Sequence, residues 1–284
     1  MIKAGSVVLA MEGVCLSFGE KRVLDGLTFS VSRGECFGFL GPSGAGKTTT
    51  IKLLTRQLVK DAGRVMLFGR PIENASDADY ERIGVLSDTS ALYERMSIED
   101  NLRLYAKIRG KGEGDIGRLL ERMGLADDRK TLVKNCSKGM RQRAALLATL
   151  IHSPELLFLD EPTSGLDPAA RAEVHRMIAE LRSAGTTVFL TTHDMAEADS
   201  VCDRIAILDE GRIVAEGKPE LLKLRFARNR VVVTTRTHGV VETTKDAAAA
   251  DELRELFAAG EVLSIHSDEP NLEEVFLELT GREF

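Results

Sequence analysis

The sequence of 284 residues contains no tryptophan and few aromatic residues, which make up 5% of the chain. Basic side chains are also too few to outnumber acidic ones, at 38 against 44, so the formal net charge is −6. Nucleic-acid-binding proteins typically present a basic surface, and many add aromatic rings on which bases stack. We therefore expect no nucleic acid among the partners of this protein.

Long apolar runs are missing as well. No stretch of eighteen residues is free of charged or polar side chains, so the sequence predicts no transmembrane helix, and its first residues lack the apolar core of a signal peptide. The cysteines are few, far apart and without a CxxC pair (Cys15, Cys36, Cys136 and Cys202). We interpret them as reduced packing thiols of a cytosolic protein.

Short apolar runs alternate with longer amphipathic stretches, and glycine and proline separate them. This alternation is typical of an α/β fold. A helix is expected after Asp167 and Pro168, which form an N-cap and a first helical residue. Buried parallel strands are expected at residues 36–40, 156–160, 187–192 and 204–208.

The pattern changes twice along the chain. Residues from about 97 to 151 have helical periodicity, interrupted by a glycine-rich loop at 110–114, and predict a helical subdomain inserted into the α/β core. After residue 224 short predicted elements follow, with strands at 230–236 and 261–266 and helices at 246–259 and 271–280. The sequence therefore predicts a first domain of residues 1–224 and a small C-terminal α/β domain of residues 225–284.

Residues 41–48 are GPSGAGKT, which matches the P-loop pattern GxxxxGK[ST] between a predicted strand and a predicted helix. Backbone N–H groups of such a loop surround phosphates, the lysine adds a positive charge, and the hydroxyl that follows binds Mg²⁺. A plain glycine-rich turn would not need Lys47 and Thr48. We therefore predict an ATP and Mg²⁺ site whose nucleotide-binding residues include Gly41, Pro42, Ser43, Gly44, Ala45, Gly46, Lys47, Thr48 and Thr49.

Two carboxylates end the predicted strand at 156–160. Ligands of open α/β sheets gather at the carboxyl ends of strands. Asp160 is predicted to bind the Mg²⁺ shell, and Glu161 to polarise the water that attacks the γ-phosphate. Taken alone, the pair is equally explained as solvated acids at a strand end. The upstream P-loop favours the catalytic interpretation.

Residues 137–143, SKGMRQR, resemble the signature motif LSGGQ of ATP-binding cassette (ABC) transporter ATPases and the basic residues that follow it. In that family two subunits close head to tail on two ATP molecules. The resemblance implies that Ser137 and Gly139 of one subunit face the γ-phosphate held by the other. An ordinary helix N-cap is the alternative for Ser137.

Other motifs from about residue 7 to residue 222 follow the order of the same family. Residues 161–167 resemble its catalytic glutamate and D-loop, His193 stands in the position of its switch histidine, and Phe18 in that of the ring that stacks on adenine. Lys47, Glu161 and His193 are thus the implied catalytic residues. The alternatives are a capping or packing histidine and a phenylalanine of the core.

Asp88 occupies the position of the family's Q-loop glutamine. A carboxylate there is a hard oxygen ligand, so the resemblance makes Asp88 a candidate Mg²⁺ ligand beside Thr48 and Asp160. The alternative is a loop cap that faces solvent.

Cys136, Lys138 and Met140 depart from the consensus signature as in bacterial exporters whose ATPase and permease are separate chains. Residues 271–281 are similar to the end of the C-terminal domain of those ATPases. The resemblance implies an ATPase that pairs with a second ATP-binding subunit, expected to be a copy of this chain. It would power a separate integral membrane permease, with export of a drug, antibiotic, lipid or ion, from the cytoplasmic face of the membrane.

In the family the permease docks near residues 90–101 of this numbering, where Leu92, Tyr93 and Met96 are either its groove or subdomain core. Two other functions stay open. One is a soluble ABC-type ATPase in assembly or repair, although no second cassette or long coiled coil is present. The other is a nucleotide-binding regulator without hydrolysis, which Glu161 and His193 disfavour and Asp88 leaves open.

Overall fold

The computed structural model describes residues 7–87 and 92–282. The chain divides into two compact units, which meet in sequence between Glu216 and Gly217. The strands that begin in the first unit are β1 (Val7–Phe18), β2 (Lys21–Ser32), β3 (Cys36–Leu40), β4 (Ala62–Leu67), β5 (Arg70–Pro71), β6 (Ile83–Leu86), β7 (Leu156–Asp160), β8 (Thr187–Thr192), β9 (Arg204–Asp209) and β10 (Arg212–Gly217). Its helices are α1 (Lys47–Leu54), α2 (Asp77–Tyr80), α3 (Ile98–Ile108), α4 (Ile116–Arg122), α5 (Lys138–Leu150), α6 (Pro168–Ser183) and α7 (Met195–Val201).

The central sheet has the strand order β10-β9-β3-β8-β7-β6, and the neighbours from β9 to β6 are parallel. Its strands β3, β7 and β8 coincide with the predicted ones, and β9 extends one residue beyond residue 208. Every residue of β3, β7 and β8 is buried, as expected for parallel strands covered on both faces. The α/β fold class is therefore confirmed.

A second, antiparallel sheet with the order β2-β1-β4-β5 was not among the predicted strands. The pairing of β1 with β2 shifts register at four places, so the period of two that marks a strand is repeatedly interrupted. Phe29 of β2 stacks on Phe37 of β3 with ring centroids 5.4 Å apart, which joins the two sheets in one core.

The described chain between β6 and β7 is mainly helical and contains α3, α4 and α5, with residues 110–114 as an exposed connection. These helices fall in the segment for which the helical subdomain was predicted. The helix predicted after Asp167 is α6; Asp167 caps it by accepting a hydrogen bond from the Ala170 N–H. Among the described residues, no helix is both long enough and apolar enough to span a bilayer.

The second unit contains a three-stranded antiparallel sheet with the order β12-β11-β13. Its elements are α8 (Pro219–Arg225), β11 (Val231–Thr235), β12 (Val240–Thr243), α9 (Ala250–Ala258), β13 (Val262–Ser267) and α10 (Leu272–Thr280). Four of them match the predicted elements, whereas α8 and β12 were not predicted. Because α8 packs on α10, it belongs to this unit, and the compact unit begins before the predicted boundary at residue 224.

All four cysteines are free thiols, and three of them are buried. A hydrogen bond with Cys36, together with burial, holds the pKa of the Cys202 thiol well above its usual range. Burial likewise raises the pKa of Cys136. These thiols are therefore protonated and unreactive at neutral pH.

Glu155, just before β7, binds Arg82 through two hydrogen bonds of 2.8 and 2.9 Å and Arg33 through one of 2.8 Å. These guanidinium groups lower the pKa of Glu155 from 4.5 to about 2. We expect Glu155→Gln to destabilise the protein by about 1 kcal/mol at pH 7, a small value because the partly exposed pair is screened by solvent.

A carboxylate with a lowered pKa stabilises the fold above its unfolded-state pKa and loses that effect as the pH falls through the folded-state value. Denaturant unfolding should therefore show the difference between wild type and Glu155→Gln shrinking from about pH 4.5 towards pH 2. The exposed Glu20, changed to Gln, is the control. A difference that stays constant between pH 7 and pH 3 would contradict the prediction.

Candidate active site

The candidate residues meet because their strands are adjacent and parallel. The P-loop follows β3, Asp160 ends β7, and His193 follows β8. The register pairs Asp160 with Thr191 and Leu40 with Thr192, so the carboxyl ends of the three strands lie at one edge of the sheet. This is the edge at which ligands of open α/β sheets bind.

The P-loop has glycine where the backbone leaves no room for a side chain. Gly46, the N-cap of α1, has a φ of 110°, and a Cβ there would lie 2.8 Å from Leu24 Cδ2. A Cβ at Gly41 would lie 2.6 Å from the carbonyl oxygen of Leu208. The first and last glycines of the pattern are therefore required by the path of the chain around the start of α1.

Lys47 is only 5% exposed and lies across the loop that precedes it. Its Nζ donates hydrogen bonds to the carbonyl oxygens of Gly41 at 2.5 Å and Pro42 at 3.2 Å, and it is 3.7 Å from Glu161 Oε1. Burial lowers the pKa of Lys47, while the charges of Glu161 and Asp160 oppose that shift. A phosphate in the loop would add the negative charge that this partly desolvated ammonium needs.

Glu161 and His193 are brought together, as the predicted site requires. The Nδ1 of His193 is 3.0 Å from Glu161 Oε2. Glu161 has a φ of 48°, in the left-handed region, and its N–H donates to the Thr191 carbonyl at 3.0 Å. Half of the His193 side chain is exposed, and the cap of α7 is Asp194, so His193 is neither a core residue nor the helix cap.

A pocket of about 180 Å³ lies at the P-loop and Glu161, and His193 does not line it. Ala45 does not line it, because its side chain is buried in the hydrophobic core, and Gly41 and Pro42 contribute their carbonyl groups to Lys47 instead. The lining residues are Ser43, Gly44, Gly46, Lys47, Thr48, Thr49 and Glu161.

The donor set fits Mg²⁺, which commonly takes one or two protein ligands together with oxygen atoms of the substrate phosphates. Thr48 lines the pocket and is half-buried. Asp160 is buried, and its Oδ1 accepts a hydrogen bond from the Thr191 hydroxyl, which orients the carboxylate. The third predicted ligand, Asp88, lies outside the described residues.

Ser137 and Gly139 are placed at the start of α5 and do not line the pocket. The exposed Ser137 hydroxyl accepts a hydrogen bond from the Met140 N–H at 3.1 Å, so Ser137 is the N-cap within its own chain. A hydroxyl that accepts one bond still has a hydrogen to donate. Gly139 is buried, and a Cβ there would lie 3.0 Å from Ala170 Cβ, so glycine allows α5 to pack closely on α6.

Phe18, at the end of β1, is 52% exposed. The alternative of a core phenylalanine is therefore wrong, and the ring is accessible to a ligand.

Two positioning residues were not predicted. Thr191 orients Asp160, and Gln142 of α5 donates to the carbonyl oxygen of Pro162 at 2.9 Å, in the loop that follows Glu161. A polar residue within the apolar β8 run was the available signal for Thr191.

Comparisons with known proteins identify the family of this chain. The family model described as "ABC transporter" matches residues 24–164. A fluoroquinolones export ATP-binding protein of Mycobacterium tuberculosis (strain CDC 1551 / Oshkosh) is 42% identical, over 99% of this chain and 96% of that protein. The chain belongs to the ATP-binding cassette transporter family.

Two further proteins match nearly the whole chain. A daunorubicin resistance ATP-binding protein of Streptomyces coeruleorubidus is 39% identical over 96% of each chain. The solved structure of an ATP-binding subunit of an ABC transporter matches with a TM-score of 0.71 and 26% identity, over 96% of this chain and 99% of that chain.

Family membership confirms several predictions from the sequence. The chain is the ATP-binding subunit of an ABC transporter, it hydrolyses ATP with Mg²⁺ as the usual partner ion, and it acts as a dimer with a separate membrane permease.

Proposed function

We propose that this ABC subunit drives export of a drug or antibiotic, with Glu161 as the residue that activates water. The observation that supports the catalytic part is that Lys47 and Glu161 line one pocket, while His193 contacts Glu161. The export part is supported by the two relatives named for fluoroquinolone export and daunorubicin resistance.

The positions of the residues at the site support a separate role for each of them in ATP binding or hydrolysis. Lys47 holds the terminal phosphates through its charge, and the P-loop N–H groups add hydrogen bonds. The Glu161 carboxylate accepts the proton of the attacking water, while His193, in contact with Oε2, keeps the carboxylate in place. Bound Mg²⁺, held through Thr48 and Asp160, would neutralise part of the phosphate charge. The exposed Phe18 ring offers a face to adenine.

The dimer completes the site in this proposal. Ser137 stands at the N-terminus of a 13-residue helix, where the helix dipole favours an anion, and its hydroxyl is exposed. In a head-to-tail pair of copies, Ser137 and Gly139 of one subunit face the γ-phosphate bound by the other.

The permease is proposed to dock near the start of α3. Tyr93 is 55% exposed, so it is not core. The fully buried Asn101 accepts from the Tyr93 N–H at 2.7 Å and donates to its carbonyl at 3.1 Å, which fixes this exposed segment. Leu92 and Met96 are half-buried, and Leu92 lines a small cavity beside α3 and α5. Docking there would hold the subunit at the cytoplasmic face of the membrane.

Drug sensitivity of cells tests the export proposal. Cells that lack this chain should become several-fold more sensitive to a fluoroquinolone or to daunorubicin, and wild-type protein should restore resistance. The Glu161→Gln protein should not restore it, although it would accumulate to the same level. Equal growth inhibition with and without the chain for both compounds contradicts these substrates.

A further inference from the structure

A buried carboxylate joins three elements behind the proposed catalytic pair. Glu197 of α7 is 2% exposed, and its Oε1 accepts a hydrogen bond from the Thr163 hydroxyl at 2.7 Å. The Nε2 of His175 in α6 is 3.1 Å from the same oxygen. The Thr163 hydroxyl donates to this oxygen, and the Nε2 of His175 donates to it in the tautomer that carries the hydrogen there.

The second oxygen of Glu197, Oε2, is buried and has no hydrogen-bond partner within residues 7–87 and 92–282. Desolvating a carboxylate with one oxygen left unsatisfied opposes folding, and an apolar residue of similar size would avoid that cost. Packing alone therefore does not account for a carboxylate at this position. The hydrogen bonds of Glu197 to other elements account for it.

One of these bonds anchors the loop that carries Glu161. Thr163 is two residues after Glu161 and is itself 2% exposed. The same loop is held at Ser164, whose N–H donates to the Glu161 carbonyl at 3.2 Å. The left-handed backbone of Glu161 is unfavourable for a residue with a side chain, so it persists only where the surroundings hold it. The bond between Thr163 and Glu197 fixes this loop to a separate helix.

The other end of the connection lies next to His193. Asp194 directly follows His193 and caps α7 by accepting the Glu197 N–H at 2.9 Å. The Asp194 N–H donates to the Thr192 hydroxyl at 2.9 Å, and the Asp194 carboxylate pairs with Arg171 of α6. Glu197 thus stands in the first turn of α7, whose position is tied to that of His193.

We propose that Glu197 is a positioning residue for ATP hydrolysis. Through Thr163 it holds the loop of Glu161 against the first turn of α7, which keeps Glu161 Oε2 within reach of His193 Nδ1. The proposal rests on water activation by Glu161. Glu197 itself does not line the pocket.

Removal of the hydroxyl of Thr163 tests this connection. Thr163→Val keeps the side-chain shape, and we expect kcat to fall about tenfold or more while KM for ATP changes less than about twofold, because a small displacement of a catalytic group slows the chemical step. Thr163→Ser restores the donor and should return kcat to within about threefold of wild type. Glu197→Met, which removes both acceptor oxygens, should match Thr163→Val, and the double variant should be no slower than either.

The matched control is Thr187→Val. Thr187 is also fully buried, and its hydroxyl also forms a hydrogen bond, accepting the Gly34 N–H at 3.0 Å, but it lies at the opposite end of β8 from the site. We expect a lower melting temperature with unchanged kcat for this variant. If Glu197→Met does not fold, Thr163→Val and Thr163→Ser still decide the question.

Thr163→Val combined with Glu161→Gln distinguishes a loss of positioning from general structural damage. If Thr163 acts through Glu161, Thr163→Val should lower the residual turnover less than about twofold there. An equal loss in both backgrounds, or an unchanged kcat of a folded Thr163→Val protein, would overturn the proposal. A Glu161→Gln protein as active as wild type would instead contradict the role of Glu161.

Discussion

Glu161→Gln is expected to lower ATP turnover by about two to four powers of ten while ATP binds as tightly as to the wild type. The amide cannot accept the proton of the attacking water. ATP binding depends on Lys47 and the P-loop, which the substitution leaves in place. Lys47 is held by its hydrogen bonds to the carbonyl oxygens of Gly41 and Pro42. Its contact with Glu161 is longer, at 3.7 Å, so we expect Lys47 to keep its position when Glu161 becomes glutamine. Because the Glu161→Gln dimer should close on ATP without hydrolysing it, an ATP-bound dimer should also accumulate.

Phosphate release at saturating ATP measures the turnover, equilibrium binding of a fluorescent ATP analogue measures affinity, and size-exclusion chromatography with ATP measures the dimer. The matched control is Glu20→Gln, an exposed glutamate at the turn after β1. Wild-type turnover in Glu161→Gln would show that another group takes the proton. A parallel loss of ATP affinity would show that Glu161 mainly supports Lys47.

Ser137→Arg is expected to abolish dimer closure, and with it most of the turnover, without loss of ATP binding by the single subunit. Ser137 is exposed and does not line the pocket of its own chain, so the new side chain leaves the P-loop untouched. In the head-to-tail dimer it would intrude between the helix N-terminus and the γ-phosphate of the other subunit. The lost cap on α5 would cost about 1 kcal/mol, which thermal unfolding would register separately.

Mixing variants gives the decisive measurement. Ser137→Arg supplies an intact P-loop, and Lys47→Ala supplies an intact signature helix, so their heterodimer has one complete composite site. Activity should therefore reappear in the mixture although each protein alone is inactive. Ser183→Arg, which adds the same charge at an exposed position of α6, is the control and should retain activity. Normal hydrolysis by Ser137→Arg at every protein concentration would contradict the shared site.

Much of the fold was predictable because local signals are strong in the central sheet. Continuous apolar runs marked β3, β7 and β8, and the Asp-Pro start marked α6. The antiparallel sheet was not predictable in the same way. The residues of β1 that face the core do not alternate regularly, because register shifts against β2 interrupt the pattern.

Some residues of the candidate site could also be predicted from the sequence, and others could not. The P-loop and the two carboxylates at the end of β7 were recognisable from spacing and residue type. Thr163, His175 and Glu197 were not, because each looks ordinary in its own segment. They form one cluster only because α6 and α7 pack beside the loop that follows β7.

Local patterns in the sequence were enough to predict the chemistry proposed for this chain: a loop for phosphate, one carboxylate for Mg²⁺ and another for water. Which of these groups lie together and which lie apart follows from the tertiary structure. The parallel order β3, β8, β7 places Lys47, Glu161 and His193 at one edge, while Ser137 remains outside the pocket of its own subunit. The physical reason is that hydrogen bonding between strands distant in sequence fixes this neighbourhood, and no local pattern encodes that pairing.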